Sequence, residues 1–308
     1  MSPATTTTTT PSNSGIVDHR LLIKDLLVKH ASKISKVQEQ IKDDPLYDSD
    51  RYDNIWILRF ILSQGSVKKA TCAAKRTMQF RHDQKLNELG DIRSYLPNHE
   101  NPTIQHKTNT IFDVHYRLLT LYCKGYKDAI MYTLPDKNRG MVGYVTPSKI
   151  DQDLLMKQMT DEDAFYIYLY TSELIYQISD EITRRTGKLT KILRVFDMSN
   201  LSFGDMNRSY ISRDCSASKQ IEDYYPQILG GVLIVNAPYW ATTIWKVIKH
   251  LFPKRFVDKM ALISPNSNPK DVQYFSKYIT RENLPERYGG LNKVWPPQYA
   301  GKWFENTK

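Results

Sequence analysis

The run Gly231-Val232-Leu233-Ile234-Val235 carries no polar side chain and is stopped by Asn236 and Pro238. A strand of that kind needs cover on both faces, as in sheets with helices packed against them. It is not alone. Residues 141–146 read as a strand that stops at Pro147, 192–196 as one that ends at Asp197, and 260–264 as a short further one. Helical patterns separate them. The longest opens at Thr160, with Asp161, Glu162 and Asp163 against the positive end of its dipole, and ends at Arg184, Arg185 and Gly187. Its spacing predicts a buried face of Ala164, Ile167, Thr171, Leu174, Ile175, Ile178 and Ile182. Residues 204–223, 241–252 and 269–278 read as further helices. Strands alternating with helices argue for an α/β layer on a mainly parallel or mixed sheet.

The N-terminal part is different. Residues 1–15 form a Thr/Ser/Pro tail that lacks apolar residues to bury, and disorder is expected there. From Asp18 the pattern is helical: Asp18 as N-cap, then Leu21, Leu22, Leu26 and Ile34, with a break at Pro45. Asp53 leads into Ile55–Leu62, and Gly65 ends that helix. Ser66 caps the next, with Val67, Ala70, Ala73, Ala74, Thr77, Met78 and Arg81 at its spacing. The expected organisation is a helical lobe over 16–96, an α/β domain over 97–300 and a short tail over 301–308.

The charge balance narrows the class. Lys and Arg number 43 against 33 Asp and Glu, a net +10 that suits an anionic membrane surface or a nucleic acid. Cys72, Cys123 and Cys215 are odd in number and far apart, which argues against a disulfide framework or a zinc site. Residues 1–15 have no apolar core of a signal peptide, and no run approaches the length of a spanning helix. These features predict a cytoplasmic protein that meets membranes peripherally.

Three segments carry a resemblance. Ile57-Leu58-Arg59-Phe60-Ile61-Leu62, with Val67, Ala70 and Phe80-Arg81, is similar to the helical segment that precedes CRAL-TRIO domains. Tyr224-Tyr225-Pro226 and Ile234-Val235-Asn236-Ala237-Pro238 resemble that family's central strand and its approach, and Glu282–Gly290 resembles its closing motif. The segments occur in the family's order, over roughly residues 50–295. The resemblance implies a helical lobe followed by an α/β lobe with a buried apolar cavity. It also implies one hydrophobic passenger, such as a phospholipid, tocopherol or retinal, and no cofactor in the catalytic sense.

The resemblance gives the segment 242–252 a second reading. Ile244, Trp245, Val247, Ile248, Leu251 and Phe252 fall on one helical arc, and Thr242, Thr243, Lys246, Lys249 and His250 on the other. Such a helix fits a core face. It also fits an interfacial gate over the cavity, with Ile244, Trp245, Ile248, Leu251 and Phe252 toward acyl chains and Lys246, Lys249 and Lys254 toward headgroups. Arg255 and Lys259, four apart, match positions that contact lipid phosphate in some members, and Tyr225 and Gln227 complete the candidate headgroup set. Phosphatidylinositol-binding members have an acid where this chain has Gln227 and basic residues where it has Leu62 and Gln64. The tocopherol carrier's basic pair corresponds to Ile228 and Gly230. A second basic group, Arg184, Arg185, Lys188, Lys191 and Arg194, contains no acid and reads either as a membrane-facing cluster or as a solvated rim.

Other classes are less well supported. The chain has no G-x-S-x-G elbow, phosphate loop, G-x-G-x-x-G or H-E-x-x-H, and its seven histidines are scattered, so no enzyme is predicted. An interaction module without lipid exchange is the alternative. No nucleic-acid partner is expected, and the chain is read as a monomer.

Overall fold

The computed structural model describes residues 18–89, 116–127, 129–133, 138–205, 207–241, 243, 257–263 and 272–293. The tail 1–15, the expected boundary at 97 and the tail 301–308 lie outside the described residues.

Three helices open the fold: α1 Ile23–Ile41, α2 Asn54–Gln64 and α3 Val67–Asp83. Asp53 caps α2 by accepting from the Ile55 and Trp56 amides, Gly65 ends it at φ 74, and Ser66 caps α3 through Lys69. The expected cap at Asp18 is a correction. Helix α1 starts five residues later, after Leu22, with no side-chain cap. Asp18 instead accepts from Arg20 and Lys188, and Leu22 pairs with Lys188 in an antiparallel bridge. Two cations fix its carboxylate away from the helix end. Val37, Ile41, Ile57, Leu58, Phe60, Ala70, Ala74 and Met78 fill this lobe, beside the tilted ring-to-ring row Tyr52–Trp56–Phe60.

The α/β part comprises α4 Tyr116–Gly125, β1 Ile130–Thr133, β2 Val142–Val145, α5 Gln152–Gln158, α6 Asp161–Thr186, β3 Ile192–Asp197, α7 Arg208–Glu222, β4 Leu229–Val235, β5 Met260–Ile263 and α8 Val272–Ser276. The strands lie side by side in the order β1-β2-β3-β4-β5, with β1 antiparallel to β2 and the rest parallel. The sheet is therefore mixed and mainly parallel. Helix α6 opens with a full capping box between Thr160 and Asp163 and closes on Gly187 in the left-handed region. Its buried face includes Ala164, Leu174, Ile175, Ile178 and Ile182, but Ile167 and Thr171 stay half-buried, and Leu169, Glu173 and Ser179 are buried instead. The helix expected over 204–223 starts at Arg208, where Asn207 caps it, after a 3-10 turn at Phe203–Asp205.

Side chains alternate between the two sheet faces. The outer face carries Val142, Tyr144, Leu193, Val195, Leu233 and Val235, which pack under Phe275, Ile279, Leu284 and Tyr288. The closing motif serves this face. Tyr288 and Arg287 both donate to Asp197 at the end of β3, at 2.9 and 2.7 Å. Gly290 lies so close to the Leu284 carbonyl that a Cβ there would sit 1.8 Å from its oxygen.

The helical lobe is fastened to α6 by polar groups. Arg81 of α3 forks onto Glu173 at 2.8 and 2.9 Å, and the Tyr225 hydroxyl donates to the same carboxylate at 2.8 Å. Burial alone would raise the Glu173 pKa, but Arg81, Tyr225 and Gln177 outweigh it and hold it below its ordinary value. Arg59 of α2 reaches Asp180 and Thr183, each at 3.2 Å, over the Tyr176 ring. Phe80 stacks on Tyr224 with centroids 3.8 Å apart.

Candidate functional site

The inner face of the sheet carries Gly143, Val145, Arg194, Phe196, Val232 and Ile234. Helices α4, α6 and α7 bring side chains over it. A row runs across it in register: Tyr132 opposite Gly143, Gly143 opposite Arg194, Arg194 opposite Val232. The missing side chain at Gly143 makes room for its neighbours. A Cβ there would stand 3.1 Å from Tyr132 and 3.3 Å from Arg194. Arg194 therefore lies flat across β2, with Nη1 donating to the Tyr132 hydroxyl at 2.9 Å and its guanidinium 5.1 Å from that ring's centre.

Tyrosines from the helices surround this arginine. Tyr122 of α4 and Tyr168 of α6 are close enough to influence its charge. Tyr168 donates to Asp214 of α7 at 2.6 Å, and Tyr210 donates to the Tyr126 hydroxyl at 3.0 Å. Burial, more than any neighbour, pushes the Asp214 carboxyl above its ordinary value, and the Tyr168, Arg194 and Arg213 contributions only partly offset it. Burial also raises the Tyr122 and Tyr168 phenols well above theirs.

Arg194, Tyr122 and Tyr168 lie among packed neighbours, yet each keeps solvent-accessible surface. Phe165, Tyr166, Ile167, Tyr170, Phe196 and Ile234 are likewise half-accessible.

A second polar group sits at the other end of β3. Lys191 donates to Gln227 Oε1 at 2.5 Å, and Gln227 adopts φ 63. Lys259 donates to the Leu229 carbonyl at 3.1 Å. Burial first, then the charges of Lys259 and Arg59, lower the Lys191 pKa to about 8.

The candidates read from the sequence are placed as follows. Gln227 and Lys259 sit in this second group. Tyr225 is buried, with its hydroxyl committed to Glu173. Arg255, the gate residues Ile244, Trp245, Ile248, Leu251 and Phe252, and the basic Lys246, Lys249 and Lys254 lie outside the described residues. The backbone is helical at Tyr239–Ala241, just before them. The second basic group does not form a membrane-facing cluster. Arg184 pairs with Asp53 and Asp180, Lys188 with Asp18, and Arg185 donates to Asn138, while Lys191 and Arg194 point into the protein. Acids distant in sequence supply the partners that the local stretch lacks. Sequence reading missed the tyrosines and Asp214 as a group, because they come from four separate elements.

The family model of the CRAL/TRIO domain matches residues 126–290. The chain belongs to the CRAL/TRIO domain family. That family comprises lipid-binding and lipid-transfer domains, whose ligands are hydrophobic lipids such as phospholipids. Among curated relatives, Patellin-3 of Arabidopsis thaliana is 23% identical over 273 residues, covering 88% of this chain and 49% of its own length. Patellin-1 of the same plant is 22% identical and covers 90% of this chain and 43% of its own length. The chain thus spans about half the length of these two relatives. The SEC14 cytosolic factor of Kluyveromyces lactis is 26% identical over 252 residues, covering 80% of this chain and 73% of its own length. No helix among the described residues is long and apolar enough to cross a membrane.

Proposed function

We propose that this CRAL/TRIO chain holds one amphipathic lipid between the inner face of its sheet and the first half of α6, and carries or presents it at membranes without altering it chemically. The observation that carries this reading is the set of partly accessible side chains grouped there, Arg194, Tyr122 and Tyr168 among them. Such surface fits the wall of an interior space, and aromatic rings with a few polar groups are what ligand cavities are lined with. A diacyl lipid has on the order of 30 methylenes, each worth about 0.8 kcal/mol against water. A carrier must therefore replace the bilayer with an equally apolar lining.

In this reading the segment 242–252 is the gate. Its apolar arc of Ile244, Trp245, Ile248, Leu251 and Phe252 meets acyl chains, and Lys246, Lys249, Lys254 and Arg255 meet an anionic surface. Lys259 and Gln227, with Lys191 beside them, stand near a headgroup. The protein then works in the cytoplasm, bound peripherally to membranes, as a monomer.

Native mass spectrometry of the purified protein, followed by solvent extraction, tests the proposal. One bound lipid per chain is the expected result. A protein that emerges empty, and stays empty after incubation with phospholipid vesicles, would overturn lipid carriage and favour an interaction module.

A further inference from the structure

We infer that Arg194 is an anion receiver inside the protein, and that the lipid it holds carries a carboxylate or phosphate group there. The inference rests on the lipid-binding reading and deepens it. Arg194 is the one residue of the inner sheet row that cannot shed its charge. A buried charge is costly unless it is paired. Yet Arg194 makes no ion pair among the described residues. The one hydrogen bond it makes among the described residues goes to a neutral phenol, Tyr132, at 2.9 Å.

Among the described residues, the titratable groups that act on its charge are Tyr132, Tyr168 and Tyr122, with Asp214 nearby. Tyr122 comes from α4, Tyr168 from α6 and Asp214 from α7. Asp214 is turned to Tyr168, which donates to it at 2.6 Å, and burial disfavours its ionised form. Among the described residues, no carboxylate therefore pairs directly with the Arg194 guanidinium. The site is also built: Gly143 clears the space across which the guanidinium lies. A guanidinium fork matches a carboxylate or a phosphate through paired hydrogen bonds, and the Tyr122 and Tyr132 hydroxyls stand beside it to donate further ones.

The tyrosines alone would argue for a different guest. Clustered aromatic rings attract quaternary ammonium groups. A fixed cation among them repels such a group, so a choline headgroup belongs elsewhere. Arg194 thus sets the sign of the group accepted at this end.

The test uses the full chain stripped of lipid, with a pyrene-labelled long-chain fatty acid, its methyl ester, pyrene-labelled phosphatidic acid and pyrene-labelled phosphatidylcholine as probes. The wild type should bind the acid at least tenfold more tightly than its ester if the anion is a carboxylate. It should bind phosphatidic acid at least tenfold more tightly than phosphatidylcholine if the anion is a phosphate monoester. Arg194→Met should abolish that preference while still binding the ester, and Arg194→Lys should retain part of it, with melting curves measured on all three proteins. Equal affinity for charged and uncharged probes in the wild type would overturn the inference and leave lipid binding intact. A uniform loss for every probe in both variants, or failure of both to fold, would make Arg194 structural and overturn it as well. A wild type that binds no probe at all would remove the lipid-binding reading itself.

Discussion

Replacing Glu173 by Gln removes one charge from the joint between the two lobes while keeping the side chain's shape. Glu173 is 1% exposed and binds both terminal nitrogens of Arg81, the Tyr225 hydroxyl and the Gln177 amide. Arg81 stays protonated whatever happens to its partner. Breaking one side of a buried pair costs about 3–5 kcal/mol. The Gln carbonyl still accepts one hydrogen bond, so the lower end, about 3 kcal/mol, is expected. With a urea slope of roughly 1–3 kcal/mol per molar, the midpoint should fall by about 1 M or more. Unfolding is followed by far-ultraviolet circular dichroism, with tryptophan fluorescence alongside, to which Trp56, buried in this lobe, is one of five contributors. The double variant Arg81→Met/Glu173→Leu removes both charges, and a double-mutant cycle should give a coupling of about 2 kcal/mol or more. The pH dependence supplies a second arm. The folded pKa of Glu173 lies below its unfolded value of 4.5, so its contribution is complete above 4.5 and is lost as pH falls through the folded value. The gap between wild type and Glu173→Gln should therefore narrow only in acid. A loss under about 1 kcal/mol at neutral pH, against the 3 expected, would refute this account of the joint, as would a gap that does not change with pH.

Two further outcomes follow from the site. Lys191, at a pKa of about 8, binds fewer protons folded than unfolded between pH 8 and 10.5, so stability should rise with pH across that window, by up to about 1.4 kcal/mol per unit. Thermal melts of wild type and Lys191→Met over pH 7–10 check this, and parallel curves would contradict it. In the proposed gate, Ile248→Asp should cut lipid transfer between vesicles by at least tenfold, about 1.4 kcal/mol, while sparing urea stability. A loss of several kcal/mol in stability would instead place this helix in the core.

Much of the fold was legible because its signals are local. Asp53, Gly65, Ser66 and Thr160 start or end helices by hydrogen bonds within a few residues, Gly187 ends one by its left-handed backbone, and all five do so where the sequence places them. The run at β3, apolar from Ile192 to Phe196 but for Arg194, and the one at β4 need no partner to be recognised. Strand β1 is four residues long with only Thr133 fully buried, so it carries no alternation to read. Asp18 failed as a cap for the opposite reason. A carboxylate takes whatever donor the fold offers, and here Lys188, distant in sequence, outcompetes a helix end.

The same limit explains why the central polar group escaped sequence reading. Along the chain, Arg194 belongs to a basic stretch with Arg184, Arg185, Lys188 and Lys191, and the local expectation for such a stretch is a charged surface. Strand periodicity cuts the stretch apart. Arg194 lies one residue from Leu193 and Val195, which face the outer core, so its own side chain must point to the inner face. What makes that position tolerable is Gly143 on the neighbouring strand, a residue that in one dimension looks only like a weak point in a strand. An inward-facing arginine beside a glycine across a parallel ladder is therefore a readable signal once register is known. The register depends on pairing between strands about fifty residues apart.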